Sequence, residues 1–225
     1  MSSTTQLLVT EPHITIQRPT ADEHLRFLIS FHFGGELYPG LAGCVGRAYL
    51  DLSRTAHGIG ESSNAPELKR SAHNLVESLL GEAIQQVRPW QADPFDAWHQ
   101  ASCQRICSHY ANGGYHTFRT GQAQKWVNMT FKYALGLAVL GMLDIKHIEA
   151  LRLVAHVPLD NYILSAFASF DPPSLPCAWS RIADYSRYLE FQRWIRITFP
   201  ENAPLDVEFR LWIKENTRRR AGVSA

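Results

Sequence analysis

The chain has 225 residues, 45% of them apolar and 19% charged, with a formal net charge of +1 and a pI near 7.8. This length buries a core without staples and fits one domain over residues 1–225, or two small lobes sharing a cleft. Near-neutrality excludes a global basic field, so any nucleic-acid surface must be local, and the ten histidines are too dispersed to supply one.

In chain order, Met1 to Thr5 lack the basic-then-apolar pattern of a signal peptide, which predicts a soluble cytoplasmic protein. Residues 7–17 alternate loosely and predict a short edge strand or an extended arm. Almost everything afterwards reads helical. Residues 24–33 form a first amphipathic segment stopped by Gly34 and Gly35, and residues 41–55 a second stopped by the turn around Gly58 and Gly60. Pro66 opens a long helix to about Val87, and Pro94 opens another through Tyr110.

Gly113 and Gly114 end that helix, and residues 115–120 connect it to a helix from Gly121 to about Met142. Helix, glycine connector and helix over about residues 95–142 give the outline of a helix-hairpin-helix. Residues 126–143 are the most apolar stretch, but they carry Asn128 and Lys132 and are followed by Asp144, so a buried core helix is predicted and no membrane partner. Shorter helices follow at 145–154 and from Asp160, then a proline-rich loop at 171–176, an amphipathic helix at 180–198 and a last helix at 205–217. The expected class is all-α, with two helical lobes flanking a cleft, one from residues 1–111 plus 200–225 and the other from 112–199.

The pattern Gly121-Gln-Ala-Gln124-Lys125 followed by Val157-Pro-Leu-Asp160 is the richest in chemistry. Thirty-five positions separate Lys125 from Asp160, enough for a helix to run out and a second segment to bring the carboxylate back beside the amine. A lysine so placed, beside Trp126 and Met129, can attack an anomeric carbon and form a Schiff base. Read alone, Lys125 also fits a surface lysine and Asp160 a helix N-cap. Asn128 and Lys132 share a helix face with Lys125, and that polar stripe faces a cleft or solvent, with Lys132 a second choice for the amine. Gln124, Trp126 and Tyr133 are further candidates for substrate contact.

Gly113, Gly114 and Gly121 can present backbone N–H groups to a phosphate, with Arg119 adding charge, or serve plain turn chemistry. Trp126, Tyr133, Trp179, Trp194 and Trp212 are candidates to stack on a flipped base, or core residues. His99, Cys103 and Cys107 recur every four positions, with His73, His109 or His116 as completing ligands, but three ligands along one helix fit a tetrahedral ion poorly. No metal and no cofactor is expected, and the four cysteines, Cys44, Cys103, Cys107 and Cys177, read as buried thiols.

Together, the Gly-Gln-x-Gln-Lys125 helix start, Lys132 and Pro158-Leu-Asp160 resemble the helix-hairpin-helix (HhH-GPD) DNA glycosylases, most nearly the divergent archaeal 8-oxoguanine glycosylase branch, over residues 112–165. The usual Leu-Pro-Gly-Val-Gly hairpin and the four-cysteine iron–sulfur loop of some relatives are missing. The resemblance implies Lys125 as Schiff-base nucleophile and Asp160 as catalytic aspartate, acting on double-stranded DNA with a modified base, as a monomer. Similarity to bacterial proteins of phage defence implies glucosylated hydroxymethylcytosine as a substrate beside 8-oxoguanine. The alternative is a non-catalytic helical nucleic-acid-binding or protein-interaction module, in which Lys125 and Lys132 contact phosphates and Asp160 only caps a helix.

Overall fold

In the computed structural model, which describes residues 20–37, 39–61, 63–86, 88–145 and 148–222, every regular element is helical. The strand or arm expected at residues 7–17 lies outside the described residues, as does Val87. Helix α1 (Ala21–His32) opens with a capping box: the Thr20 hydroxyl accepts from the Glu23 N–H at 3.2 Å, and Glu23 accepts from the Thr20 N–H at 2.7 Å. Helix α2 (Leu41–Leu52) runs on into a single tight turn, Ser53–Thr55. Helix α3 (Ala65–Ile84) carries Pro66 in its first turn, where no partner for its nitrogen is needed.

Helix α4 (Ala92–Asn112) closes at Gly114, whose φ of +93° is one that L side chains rarely adopt. After the connector, α5 (Thr120–Val139) starts from Arg119, whose N–H donates to Gln122 Oε1 at 2.8 Å. The remaining helices are α6 (Ile148–Arg152), α7 (Asn161–Phe167), α8 (Tyr185–Thr198) and α9 (Pro204–Arg220). One continuous hydrophobic cluster joins residues from α2 to α9, from Cys44 to Val207. No helix among the described residues is long and apolar enough to cross a membrane.

The centre of the fold is α5, whose residues 120–131 are all buried. It packs most broadly against α2, where the Trp126 indole N–H donates to the Val45 carbonyl at 2.9 Å, and also against α4. A helix enclosed on all sides has no solvated face for polar residues, so each must find a partner inside. Thr120 donates to the Ala183 carbonyl, Gln122 to the Thr55 carbonyl, and Thr130 to its own helix at Trp126. Gln124, Lys125 and Asn128 build the site described below. The polar stripe expected to face a cleft or solvent is therefore internal at Lys125 and Asn128, with Lys132 half-buried.

Two boundaries differ from the sequence expectation for a physical reason. Helix α8 begins at Tyr185 and not near 180, because the carbonyls of Ile182 and Ala183 bind α5 and are unavailable to a helix. Asp184 caps it instead, accepting from the Ser186 N–H at 2.8 Å. Helix α6 ends at Arg152, and residues 155–159 are non-helical and buried. The cysteine expectation also needs correcting: Cys44 and Cys103 are buried, but Cys107 is half-buried and Cys177 exposed.

Candidate active site

A non-helical segment inside an all-helical core has no strand beside it to bond its backbone, and unpaired buried amides are costly. Two glutamines take the strand's place. On one side the Gln192 carboxamide accepts from the Val157 N–H and donates to the Val157 carbonyl, both at 2.9 Å. On the other, Gln124 accepts from the Leu159 N–H at 3.2 Å and donates to the Leu159 carbonyl at 3.1 Å. Pro158, between them, has no N–H to satisfy. The clamp delivers the next residue, Asp160, to the first turn of α7.

Asp160 uses its two carboxylate oxygens for two tasks. Oδ1 accepts from the Ile163 N–H at 2.9 Å and caps α7, as the Pro-Leu-Asp pattern predicts. Oδ2 accepts from Lys125 Nζ at 2.5 Å. The structure therefore brings together the two residues that the sequence singled out from 35 positions apart. The lysine side chain is 5% exposed and the aspartate 21%, so the pair opens to solvent on the carboxylate side.

A second ion pair adjoins it. Lys132 Nζ lies 2.7 Å and 2.8 Å from the Glu208 carboxylate oxygens and 5.3 Å from the Trp212 ring centroid. Burial pushes the Glu208 carboxyl above its ordinary range, and the attraction of Lys132 and, more weakly, Lys125 offsets part of that push. Two amines and two carboxylates thus form one partly buried cluster between α5, α7 and α9. Trp212 stacks with Tyr162 at 6.2 Å, and Arg219 lies 4.1 Å over the Tyr162 ring, so aromatic and cationic groups line this end of α7 and α9.

Beneath the cluster, Asn128 continues the chain of bonds. The backbone contacts of Gln124 fix which end of its amide faces Asn128, and Asn128 Nδ2 donates to Gln124 Oε1 at 3.1 Å and to the Tyr188 hydroxyl at 2.8 Å. Its Oδ1, 3.0 Å from His99 Nε2, then requires a proton on that nitrogen, leaving Nδ1 to accept from the Tyr185 hydroxyl at 2.8 Å. Tyr188 in turn donates to His156 Nδ1 at 3.0 Å, and His156 Nε2 donates to Asp96 at 2.8 Å. Arg196 completes Asp96 from the other side at 2.7 Å and 3.1 Å.

Every member of this network has its partner with both imidazoles neutral. Burial, followed by the neighbouring His156, holds His99 well below the usual imidazole range, and burial takes His156 down to about 4 despite its carboxylate partner. Burial would raise Asp96, but bonds from His156 and Arg196 outweigh it and hold the carboxyl well below its usual range. His99 is therefore committed to Asn128 and Tyr185, with Cys103 Sγ 3.7 Å from its Nδ1. Among the described residues no group of three His, Cys, Asp or Glu is placed to hold a metal ion.

Several candidate residues take other places. Gln124 and Asn128 are fully buried and saturated, and so support the site without lining it. Trp126 is core, Trp179 is buried against the start of α5, and Trp194 packs among Phe167, Phe191 and Phe199. Tyr133 turns toward α2, donating to Asp51 at 2.6 Å. Of the aromatic candidates, Trp212 lies against the cluster, its ring facing Lys132.

The glycine assignment is also corrected. The N–H groups of Gly113, Gly114 and Gly121 donate to the carbonyls of His109, Ala111 and Ile182, so none is presented to a phosphate. Gly121 is required by packing instead, since a Cβ there would lie 1.8 Å from the Trp179 carbonyl oxygen. Arg119 is exposed, at the N-cap of α5.

Gln192, Tyr188, His156, Asp96, Arg196 and Glu208 escaped sequence reading. Glu208 had a signal: Leu205, Glu208, Trp212 and Glu215 recur at helical spacing, placing a carboxylate on an apolar face. The others are joined by contacts 60 or more positions apart or lie on the deep face of α8, with no local period to reveal them. Two surface hollows, one lined by Leu41, Ile84 and Leu143 and one by Leu75, Gln104 and Arg105, include none of Lys125, Asp160, Lys132 or Glu208. In comparisons with known proteins, no family model, curated protein or solved structure matches the chain significantly.

Proposed function

We propose that this protein is a cytoplasmic DNA glycosylase acting through Lys125 and Asp160, on duplex DNA carrying a modified base such as 8-oxoguanine or glucosylated hydroxymethylcytosine. The observation that carries the reading is the 2.5 Å contact between a buried amine and a carboxylate fixed at a helix start, open on the carboxylate side. In the reaction, Lys125 leaves its partner and turns toward that opening, giving a proton to Asp160 or solvent. The C1′–N bond of an extruded nucleotide breaks, the base leaves with the bonding electrons, and the amine nitrogen bonds to C1′. Asp160 stabilises the positive charge that develops on the sugar.

Sugar opening then gives an imine, and loss of a C2′ proton with cleavage of the 3′ C–O bond breaks the strand before water frees the lysine. If Lys125 only orients water, the reaction stops at an abasic site. The rival phosphate-binding module loses support because both of its lysines are already matched to carboxylates.

The test offers duplexes carrying 8-oxoguanine, uracil or glucosylated hydroxymethylcytosine and measures free base, abasic sites and strand breaks. Release from at least one is expected, and release from none sinks the reading for these substrates. Borohydride trapping with Lys125→Gln and Lys132→Gln then identifies the amine. An adduct lost only in Lys132→Gln shows that the nucleophile is the lysine beside Glu208.

A further inference from the structure

We propose that the outward face of α9 is the surface on which a nucleic-acid strand lies, bringing phosphates to the opening beside Asp160. This deepens the glycosylase reading by naming where its DNA is held, and it can be tested by binding alone. On a chain whose net charge is only +1, the outward face of α9 carries Arg210, Lys214 and Arg220, while Arg219, on the opposite side of the helix, is paired with Glu215 at 2.7 Å. Of the helix's own carboxylates, Glu208 and Glu215 are 2% and 4% exposed, and Asp206, in the first turn and with a side chain 42% exposed, is paired with Arg152. Beyond that first turn, with Glu208 and Glu215 buried, the outer face presents cations and no carboxylate.

The spacing suits a phosphodiester strand. Arg210 to Arg220 covers about 15 Å of helix axis, the length along which one strand of a duplex presents about four phosphates. Phe209, 55% exposed, directly precedes Arg210, and Ile213, 46% exposed, stands between Arg210 and Lys214. Two apolar side chains make too narrow a stripe for a helix lying in a lipid interface, but they give sugar and base edges something to pack on.

The face is also joined to the site. Glu208 holds Lys132, and Arg219 donates to the Asn161 carbonyl at 3.2 Å while covering Tyr162. Arg219, itself paired with Glu215, thereby pins the end of α9 to the start of α7, and Asn161 directly follows Asp160, so a strand held at Arg220 ends beside the helix start that carries the carboxylate. The α4–α5 turn offers no comparable purchase, since its glycine N–H groups are engaged within the protein.

The experiment titrates a short fluorescein-labelled duplex against the full chain over a salt series, beside vesicles rich in anionic phosphatidylserine. The triple variant Arg210→Gln, Lys214→Gln, Arg220→Gln is expected to bind the duplex at least about tenfold more weakly at low salt. It should also flatten the slope of log K against log salt by about 2–3, near 0.9 for each lost phosphate contact. Arg210→Lys with Arg220→Lys should restore most of the affinity, and Arg70→Gln, on the exposed surface of α3, should leave it unchanged.

An unchanged slope in the triple variant, absence of duplex binding by the parent protein, or binding to vesicles but not to duplex overturns the proposal. Base release is scored separately. Duplex binding that depends on α9 with no base released from any substrate keeps the surface and removes the glycosylase. Base release with α9-independent binding does the reverse.

Discussion

Asp160→Asn separates the two tasks of the site aspartate. Asparagine is as good an N-cap as aspartate, so the bond from the Ile163 N–H survives, while the charge facing Lys125 is lost. An ammonium whose side chain is 5% exposed then loses its contacting carboxylate. Breaking a buried pair from one side costs about 3–5 kcal/mol, and the partial exposure of the aspartate side, which admits water, lowers the expectation to about 2–3 kcal/mol. Asp160→Ala should cost about 1 kcal/mol more, because the cap goes as well.

The reverse truncation is milder. Lys125→Met leaves a carboxylate that is 21% exposed and still receives an amide N–H, so about 1–2 kcal/mol is expected. The double variant carries neither charge and should lose about 1–2 kcal/mol, giving a coupling near 2 kcal/mol. Urea unfolding at constant m measures all four proteins. A coupling below about 0.5 kcal/mol would refute the argument, since it would mean that the two groups do not share a desolvated contact in solution.

Three further outcomes follow from the same geometry. Gln192→Leu removes the partner of the Val157 N–H and the closer partner of its carbonyl, both buried, and should lower stability by about 2–4 kcal/mol in urea; a loss under 0.5 kcal/mol, roughly, would show that the clamp is not needed. Gly121→Ala forces a methyl into the Trp179 carbonyl and should cost at least about 3 kcal/mol, seen as a melting point lower by roughly 6–12 °C, whereas an unshifted melt contradicts the close crossing.

Stability should also fall in mild acid. His73 and His156 are depressed to about 4 and His99 well below 6.5, in each case first by burial, so between pH 6.5 and 4 the unfolded chain binds more protons than the folded one. Their contribution is complete above pH 6.5 and declines as pH falls through that window, so a urea midpoint constant over it would contradict neutral, buried imidazoles. Asp96, held below its ordinary range, adds its own loss only at lower pH.

The Lys125–Asp160 pair was legible because its signals are local: an amine one turn into an apolar helix, and a carboxylate after proline at the next helix start. Neither signal needs a distant contact to be recognised. What surrounds the pair was not legible, for two physical reasons. A helix buried on one side and a helix buried all round can carry the same polar residues, so Gln124 and Asn128 passed for a cleft lining when they are internal partners. A glycine needed for close packing also looks the same in sequence as one needed for a turn or for phosphate, and Gly121 serves the packing.

The clamp was hidden for a related reason: Gln192 reaches Val157 from 35 positions away, on a helix whose start is set by bonds to α5. The helical class survived these errors because it rests on periodicity and turn residues summed over long segments, whereas the network rests on single long-range contacts.

The energetics also bear on why the pair exists. A buried ion pair is weak evidence for stability, since replacing both partners with uncharged groups is often neutral or stabilising. Here the fold commits Gln124 and Gln192 to a non-helical segment in order to set one carboxylate against one amine, next to a second ion pair whose attraction offsets only part of the cost of burial. A chain selected for stability alone would gain by an apolar contact at this point. If the Lys125→Met, Asp160→Asn double variant folds within about 2 kcal/mol of the parent yet releases no base, the pair is held for its chemistry. If it folds as well and releases base at the parent rate, the arrangement is structural and the proposed reaction must lie elsewhere.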